Sequence, residues 1–264
     1  MRSGLVKRLR VMVTVAALLP AAHALAAEEA APGAHEAPAL PQLNWSFNGP
    51  LGTYDKAAMQ RGLKVYREVC AGCHALKRVY FRNLEALGYD EGQIKSIAAS
   101  YTVQAGPNDE GEMFDRPGLP SDHFVSPFAN DNAAKANNGG ALPPDLSLIT
   151  KARHDGPNYV YGILTGFEAP PEGTTLLPGQ NWNKYMPGHI IAMAKPLSDG
   201  QVAYEDGSPE TVQQYARDVV NFLTWAADPY MEERKRTGIK AIIFLTVFAL
   251  IMYAYKRKIW SDVH

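Results

Sequence analysis

Apolar positions recur every three or four residues in two well-separated segments of this chain. In residues 55–77, Gly62, Tyr66 and Cys70 share one helical face, and Thr53 or Asp55 offers an N-terminal cap. In residues 211–226, Val212, Tyr215, Val219, Phe222 and Trp225 follow the same spacing. Asp228-Pro229 should end that helix, because the residue before a proline disfavours helical backbone. A glycine on the first face lets a second helix approach closely, so the two segments are expected to cross. Residues 80–100 and 157–166 also look helical. Residues 101–144 hold much Gly, Pro and Asn and are expected to form an irregular excursion. The expected fold class is therefore mainly α, with long loop insertions.

The two ends carry a different pattern. Residues 1–27 have the parts of a secretory signal: Arg2, Lys7, Arg8 and Arg10, then an apolar stretch at 11–19, then small residues at Ala22, Ala24 and Ala26. About nine apolar residues are too few to span a bilayer, which takes about 20. Near the other end, residues 239–255 are predominantly apolar and carry one charge, Lys240, which can snorkel to the interface. Tyr253, Tyr255 and Trp260 suit an interfacial belt. The charges flanking the span nearly balance, Arg234, Lys235 and Arg236 before it and Lys256, Arg257 and Lys258 after it. Orientation therefore rests on the signal sequence, which places the intervening domain outside the cytoplasm. The expected organisation is a cleaved signal at 1–27, an extended Ala/Pro/Glu-rich leader at 28–41, a periplasmic domain at 42–236, a transmembrane helix at 237–256 and a cytoplasmic tail at 257–264. A single membrane pass follows.

Composition narrows the partners. The net charge is −1, which argues against an electrostatically driven nucleic-acid binder. Asp109, Glu110, Glu112 and Asp115 cluster within the irregular excursion. They are either a docking patch for a basic partner or a solvated loop that tolerates charge.

The candidate chemistry sits in Cys70-Ala71-Gly72-Cys73-His74, which contains the only two cysteines of the 264 residues. C-x-x-C-H is the attachment signature of c-type haem. Two thiols three positions apart reach the two vinyl groups of one haem, and the following histidine sits where it can ligate the iron. A zinc site would need two further ligands at similar spacing, and a thioredoxin-like site would need a βαβ context. One covalently attached haem c is expected, with both cysteines consumed by it. A sixth iron ligand could be Met59, Met113, Met186, Met193, Met231 or Met252, or one of His123, His154 and His189. Met186 and Met193 share a loop well downstream of the attachment site, and spacing alone separates them only slightly. If the sixth position were open, the chain would instead be a subunit of a haem enzyme such as a peroxidase or reductase.

Four blocks carry a resemblance: RGLKVYREVCAGCH at 61–74, NNGGALPPDLSLITKARHDGPNYVYGILTGF at 137–167, GQNWNKYMPGHIIAMAKPL at 179–197 and DVVNFLTWAADPYMEERKRTGIK at 218–240. With them the chain resembles the cytochrome c1 family of bacterial type, the haem subunit of ubiquinol–cytochrome c reductase (the bc1 complex). The resemblance implies a class I cytochrome c-like haem domain with long loop insertions and a C-terminal transmembrane anchor. It implies Met193 as the distal iron ligand opposite His74, and Pro144 as the residue whose carbonyl accepts the His74 ring N–H. It implies that Arg153 and Tyr159 contact a haem propionate. The implied activity is single-electron transport in a respiratory chain, from a Rieske iron–sulfur protein to a soluble periplasmic cytochrome c, with no bond chemistry in this chain itself. The implied partners are those two proteins and the cytochrome b subunit, in a dimeric complex. One departure from the family pattern is Met186 in Tyr185-Met186-Pro187-Gly188, where the family commonly has Phe.

Overall fold

The computed structural model describes residues 39–262. The expected signal sequence and most of the leader lie outside the described residues. Among the described residues six α-helices dominate: α1 (Lys56–Glu68), α2 (Glu91–Ala99), α3 (Asp131–Asn137), α4 (Gly156–Thr165), α5 (Val212–Ala227) and α6 (Met231–Ile259). Two small antiparallel hairpins pair β1 (Thr102–Ala105) with β2 (Phe114–Pro117) and β3 (Asn181–Trp182) with β4 (Ile190–Ile191). Three 3-10 turns, Cys70–Gly72, Phe81–Leu87 and Leu146–Leu148, link them.

The expected crossing of the first and last helices of the globular part is present. α1 is capped by Asp55, whose carboxylate accepts from the Ala58 N–H. α5 is capped by Thr211 and stops at Asp228, before the proline. The two helices touch at Gly62, where any Cβ would collide with the backbone carbonyl of Asp218 and press on Phe222. Around that point Leu63, Tyr66, Tyr215, Val219 and Phe222 are fully buried. The Tyr66 and Phe222 rings meet at 5.8 Å.

A buried ion pair locks the same crossing. Asp218 receives Arg61 Nε at 2.9 Å and Nη2 at 3.1 Å, the Tyr204 hydroxyl at 3.0 Å, and both oxygens accept from the Gln214 amide. A carboxylate withdrawn from water this far is tolerable because its lone pairs are filled. The Asp218 hydrogen bond is the main reason the Arg61 guanidinium is pushed above its ordinary value.

Three sequence expectations change. The first helix does not run to residue 77. It ends at Glu68, and the chain tightens into the Cys70–Gly72 3-10 turn, whose neighbours His74–Arg78 are held by the 144–148 segment. The helical reading of 80–100 splits into a 3-10 turn and α2 at Gly88, which takes a left-handed φ of 97°. The 101–144 excursion contains a β-hairpin and α3. Asp109, Glu110 and Glu112 lie exposed in the connection between β1 and β2.

α6 is the apolar C-terminal helix, 29 residues long, and its apolar stretch is not buried against the chain. It is long enough to cross a bilayer. Its first turn is bound tightly to the globular part. Asp228, at the end of α5, receives both Arg234 guanidinium nitrogens at 2.7 Å and Lys151 Nζ at 2.7 Å. Lys235 Nζ donates to the Phe47 and Gly52 carbonyls at 2.7 and 3.1 Å. Glu232 accepts from the Tyr54 N–H at 2.7 Å.

Gly62→Val should lower the unfolding free energy by about 2–3 kcal/mol in a urea titration, because the helices have no slack at that contact. Hydrogen bonds from Arg234, then Lys151, hold the Asp228 carboxyl below the usual carboxylate range. Its stabilisation is therefore complete above the unfolded-state value of about 4 and is lost as pH falls through the lower folded value. Asp228→Asn should flatten the stability change between neutral and strongly acidic pH, read as a smaller shift in urea midpoint.

Candidate haem attachment site

The Cys-containing turn is built by its own backbone. The Cys73 and His74 N–H groups both donate to the Cys70 carbonyl, at 3.1 and 2.9 Å. This places both sulfurs and the imidazole on one short arc immediately after α1. The two cysteines are not joined to each other. The half-buried Cys70 thiol is pushed up to about 12, mainly by loss of hydration and then by Cys73. A thiol–disulfide catalyst needs the opposite, a stabilised thiolate. The Tyr66 hydroxyl donates to the His74 carbonyl at 3.2 Å, so the arc is tied directly to the α1–α5 core.

A second segment is docked against this arc. The Leu146 N–H donates to the Ala75 carbonyl at 2.9 Å. The Lys77 N–H donates to Asp145 Oδ2 at 2.9 Å, and the Arg78 N–H to Ser147 Oγ at 3.1 Å. Asp145 Oδ1 also caps the Leu146–Leu148 turn through the Ser147 N–H. The register that results puts the Pro144 carbonyl 2.8 Å from His74 Nδ1. A carbonyl only accepts, so Nδ1 carries the proton and Nε2 presents its lone pair. Burial holds the His74 imidazole below its ordinary value, opposed by the Pro144 hydrogen bond. The neutral ring is the ligating form.

These donors fit a covalently held porphyrin: two thiols on one turn, and a histidine whose tautomer is fixed with its distal nitrogen available. Among the described residues no cluster of three or more His, Cys, Asp or Glu is arranged to hold a metal ion by itself.

The candidate distal loop is the β3–β4 hairpin and the residues after it. Asn181 pairs with Ile191 and Trp182 with Ile190. Buried Asn183 anchors the hairpin to α4, donating to the Ile163 carbonyl at 2.7 Å, while the Lys184 N–H donates to the Gly166 carbonyl at 2.8 Å. Gly166 is required there, since a Cβ would press into the Tyr185 ring. Met186 lies in the turn of this hairpin and Met193 two residues beyond β4, both half-buried. The Tyr159 hydroxyl donates to Met186 Sδ at 3.6 Å. The Arg153 guanidinium lies 6.0 Å from the Tyr159 ring centre, so these two candidates are brought together.

Other sulfur and nitrogen candidates are placed elsewhere. Met59 and Met231 are buried core residues, Met113 is exposed beside the β1–β2 connection, and Met252 is on α6. His123 lies tilted against Tyr80 with ring centres at 3.7 Å, and His189 stacks on Trp182 at 4.7 Å. Asp145 and Ser147, which dock the Pro144 carbonyl, are not among the residues expected from sequence. Their signal was the Asp-Leu-Ser cap of a short turn, which is too common to single out.

Residues 45–263 match the model of the Cytochrome C1 family. The chain is 52% identical over 246 residues to the cytochrome b/c1 of Bradyrhizobium diazoefficiens, covering 85% of this chain and 36% of that longer protein. It is 45% identical over 266 residues to the cytochrome c1 of Rhodospirillum rubrum, covering 94% and 97% of the two chains. It is 50% identical over 248 residues to a mitochondrial cytochrome c1 haem protein of Solanum tuberosum, covering 94% of each.

Asp145→Ala should cost about 1–2 kcal/mol of stability, since the Lys77 and Ser147 N–H groups lose their acceptor. Asp145→Asn, which keeps one carbonyl oxygen, should cost less. Parallel urea titrations distinguish the two.

Proposed function

The chain belongs to the cytochrome c1 family, and on that premise we propose that it is a membrane-anchored one-electron carrier within a bc1 complex. The observation that carries the reading is the C-x-x-C-H arc with His74 Nδ1 committed to the Pro144 carbonyl. A haem c, when bound, supplies reversible one-electron iron chemistry. Everything else is the work of the chain.

Cys70 and Cys73 would hold the macrocycle as thioethers, and His74 Nε2 and Met193 Sδ would ligate its iron. Pro144 fixes the imidazole plane and raises its basicity through Nδ1. Met193, two residues beyond β4 in the distal loop, supplies the sulfur, as the family resemblance implies. Arg153 and Tyr159 supply a cation and a hydroxyl for a propionate, which needs such partners when it is taken out of water. The α1–α5 core and the distal hairpin exclude water, and a methionine–histidine pair favours a positive potential.

The electron donor is a Rieske iron–sulfur protein and the acceptor a soluble periplasmic cytochrome c. Cytochrome b is the membrane partner, in a dimeric complex that couples ubiquinol oxidation to proton translocation. The domain at 42–236 then faces the periplasm after signal cleavage within 1–27, and α6 anchors it to the inner membrane.

Three measurements test this. The pigment should stay with the polypeptide through acid–acetone extraction. Met193→Leu should abolish the sulfur-to-iron charge-transfer band and lower the potential sharply, whereas Met186→Leu should keep the band; the reverse pattern refutes the ligand assignment. Mild detergent should recover the chain with a dihaem b-type subunit and a Rieske protein.

A further inference from the structure

The end of the globular part nearest α6 carries exposed apolar groups that the fold does not use. Leu51, next to Pro50 at the tip of a tight turn, is 78% exposed, and Tyr230, next to Pro229 just before α6, is 70% exposed. The turn is stiff rather than loose. Phe47 and Trp45 stack beneath it with ring centres at 5.5 Å, and Gly49 takes a φ of 72° that closes it. The turn is also fixed to the membrane helix, because Lys235 Nζ bonds the carbonyls on either side of the tip, Phe47 and Gly52.

Helix geometry sets the depth of this tip. At 1.5 Å per residue the 29 residues of α6 extend about 43 Å, the thickness of a bilayer with both headgroup layers. The apolar segment is central, with Glu232, Glu233 and Arg234 at one end and Lys256, Arg257 and Lys258 at the other. With α6 centred on the bilayer its first turn lies in a headgroup layer, and the 47–52 turn sits within one lysine side chain of it. A proline-leucine tip and a tyrosine beside cationic Lys235 and Arg236 match the chemistry of that layer, which takes up amphipathic rings and short apolar tips next to anionic phosphates.

We propose that Pro50-Leu51 and Pro229-Tyr230 form a foot that seats in the lipid headgroup layer beside α6. The foot gives the globular part a second membrane contact, so it stands on the bilayer at a set height and tilt instead of swinging from a single helix. The occupant is lipid, because the patch is continuous with the membrane-crossing helix and lies at headgroup depth. The inference rests on α6 as the anchor and holds for either orientation of the chain.

The test uses the full haem-loaded chain in nanodiscs of neutral phospholipid, whose co-flotation with lipid verifies the anchor separately. Leu51→Cys, Tyr230→Cys and, as a reference, Leu177→Cys (65% exposed in the parent) are labelled with a membrane-impermeant maleimide. Rates are read site by site by peptide mass mapping. The first two positions should react several-fold more slowly than the reference, and a lipid-partitioning maleimide should reverse the order. Equal rates with the impermeant reagent would overturn the foot. So would protection that appears only when other subunits are bound, which would make the occupant a protein.

Discussion

The structure depends on how closely the backbones of α1 and α5 approach each other. Gly62 has no side chain, so the Asp218 carbonyl can sit where a Cβ would be. That contact brings Arg61 and Asp218 within hydrogen-bonding range in a region with little water, where a charge is costly unless it is paired. Tyr204 and Gln214 complete the pairing. The crossing also buries Tyr66, whose hydroxyl reaches the backbone of the candidate iron-binding histidine. Core packing and site placement are thus one constraint.

The attachment arc follows directly from the end of α1. Its local geometry is set by three residues of backbone, but the direction of the imidazole is not. That direction comes from a segment 70 residues away in sequence, held by a short ladder of side-chain and backbone bonds at Asp145, Leu146 and Ser147. The proton on Nδ1 is a consequence of that ladder, and it leaves Nε2 with the lone pair that a metal ligand would need. The distal hairpin is anchored by a different route, through Asn183 and Lys184 onto α4. The two halves of the candidate site are therefore fastened independently to the same core.

The junction with the membrane helix is built with equal rigidity. Asp228 gathers one lysine and a bidentate arginine, and Lys235 clasps the turn at 47–52. An electron carrier fixed in a membrane complex gains from this arrangement, since transfer between redox centres depends on a reproducible distance to each partner.

Much of this was legible along the chain. The C-x-x-C-H run stood out as a candidate haem site because such chemistry is local: two thiols and an imidazole must be neighbours to serve one porphyrin. The spacing of Gly62 and Tyr66, the α5 stripe and the Asp228-Pro229 stop were visible because helix packing imposes a 3.6-residue period. The C-terminal span was visible because a bilayer imposes length and apolarity. The Asp218 ion pair, the Asp145 ladder, the Tyr159–Met186 contact and the Asp228 collar were not. Each joins residues whose sequence distance is unrelated to their separation in space, and a polar side chain has no periodicity to announce its partner. The end of α1 at Glu68, short of the expected residue 77, has the same origin. Local propensity allowed the helix to continue, and only the docking of the 144–148 segment against His74 and its neighbours decided that the backbone would turn away.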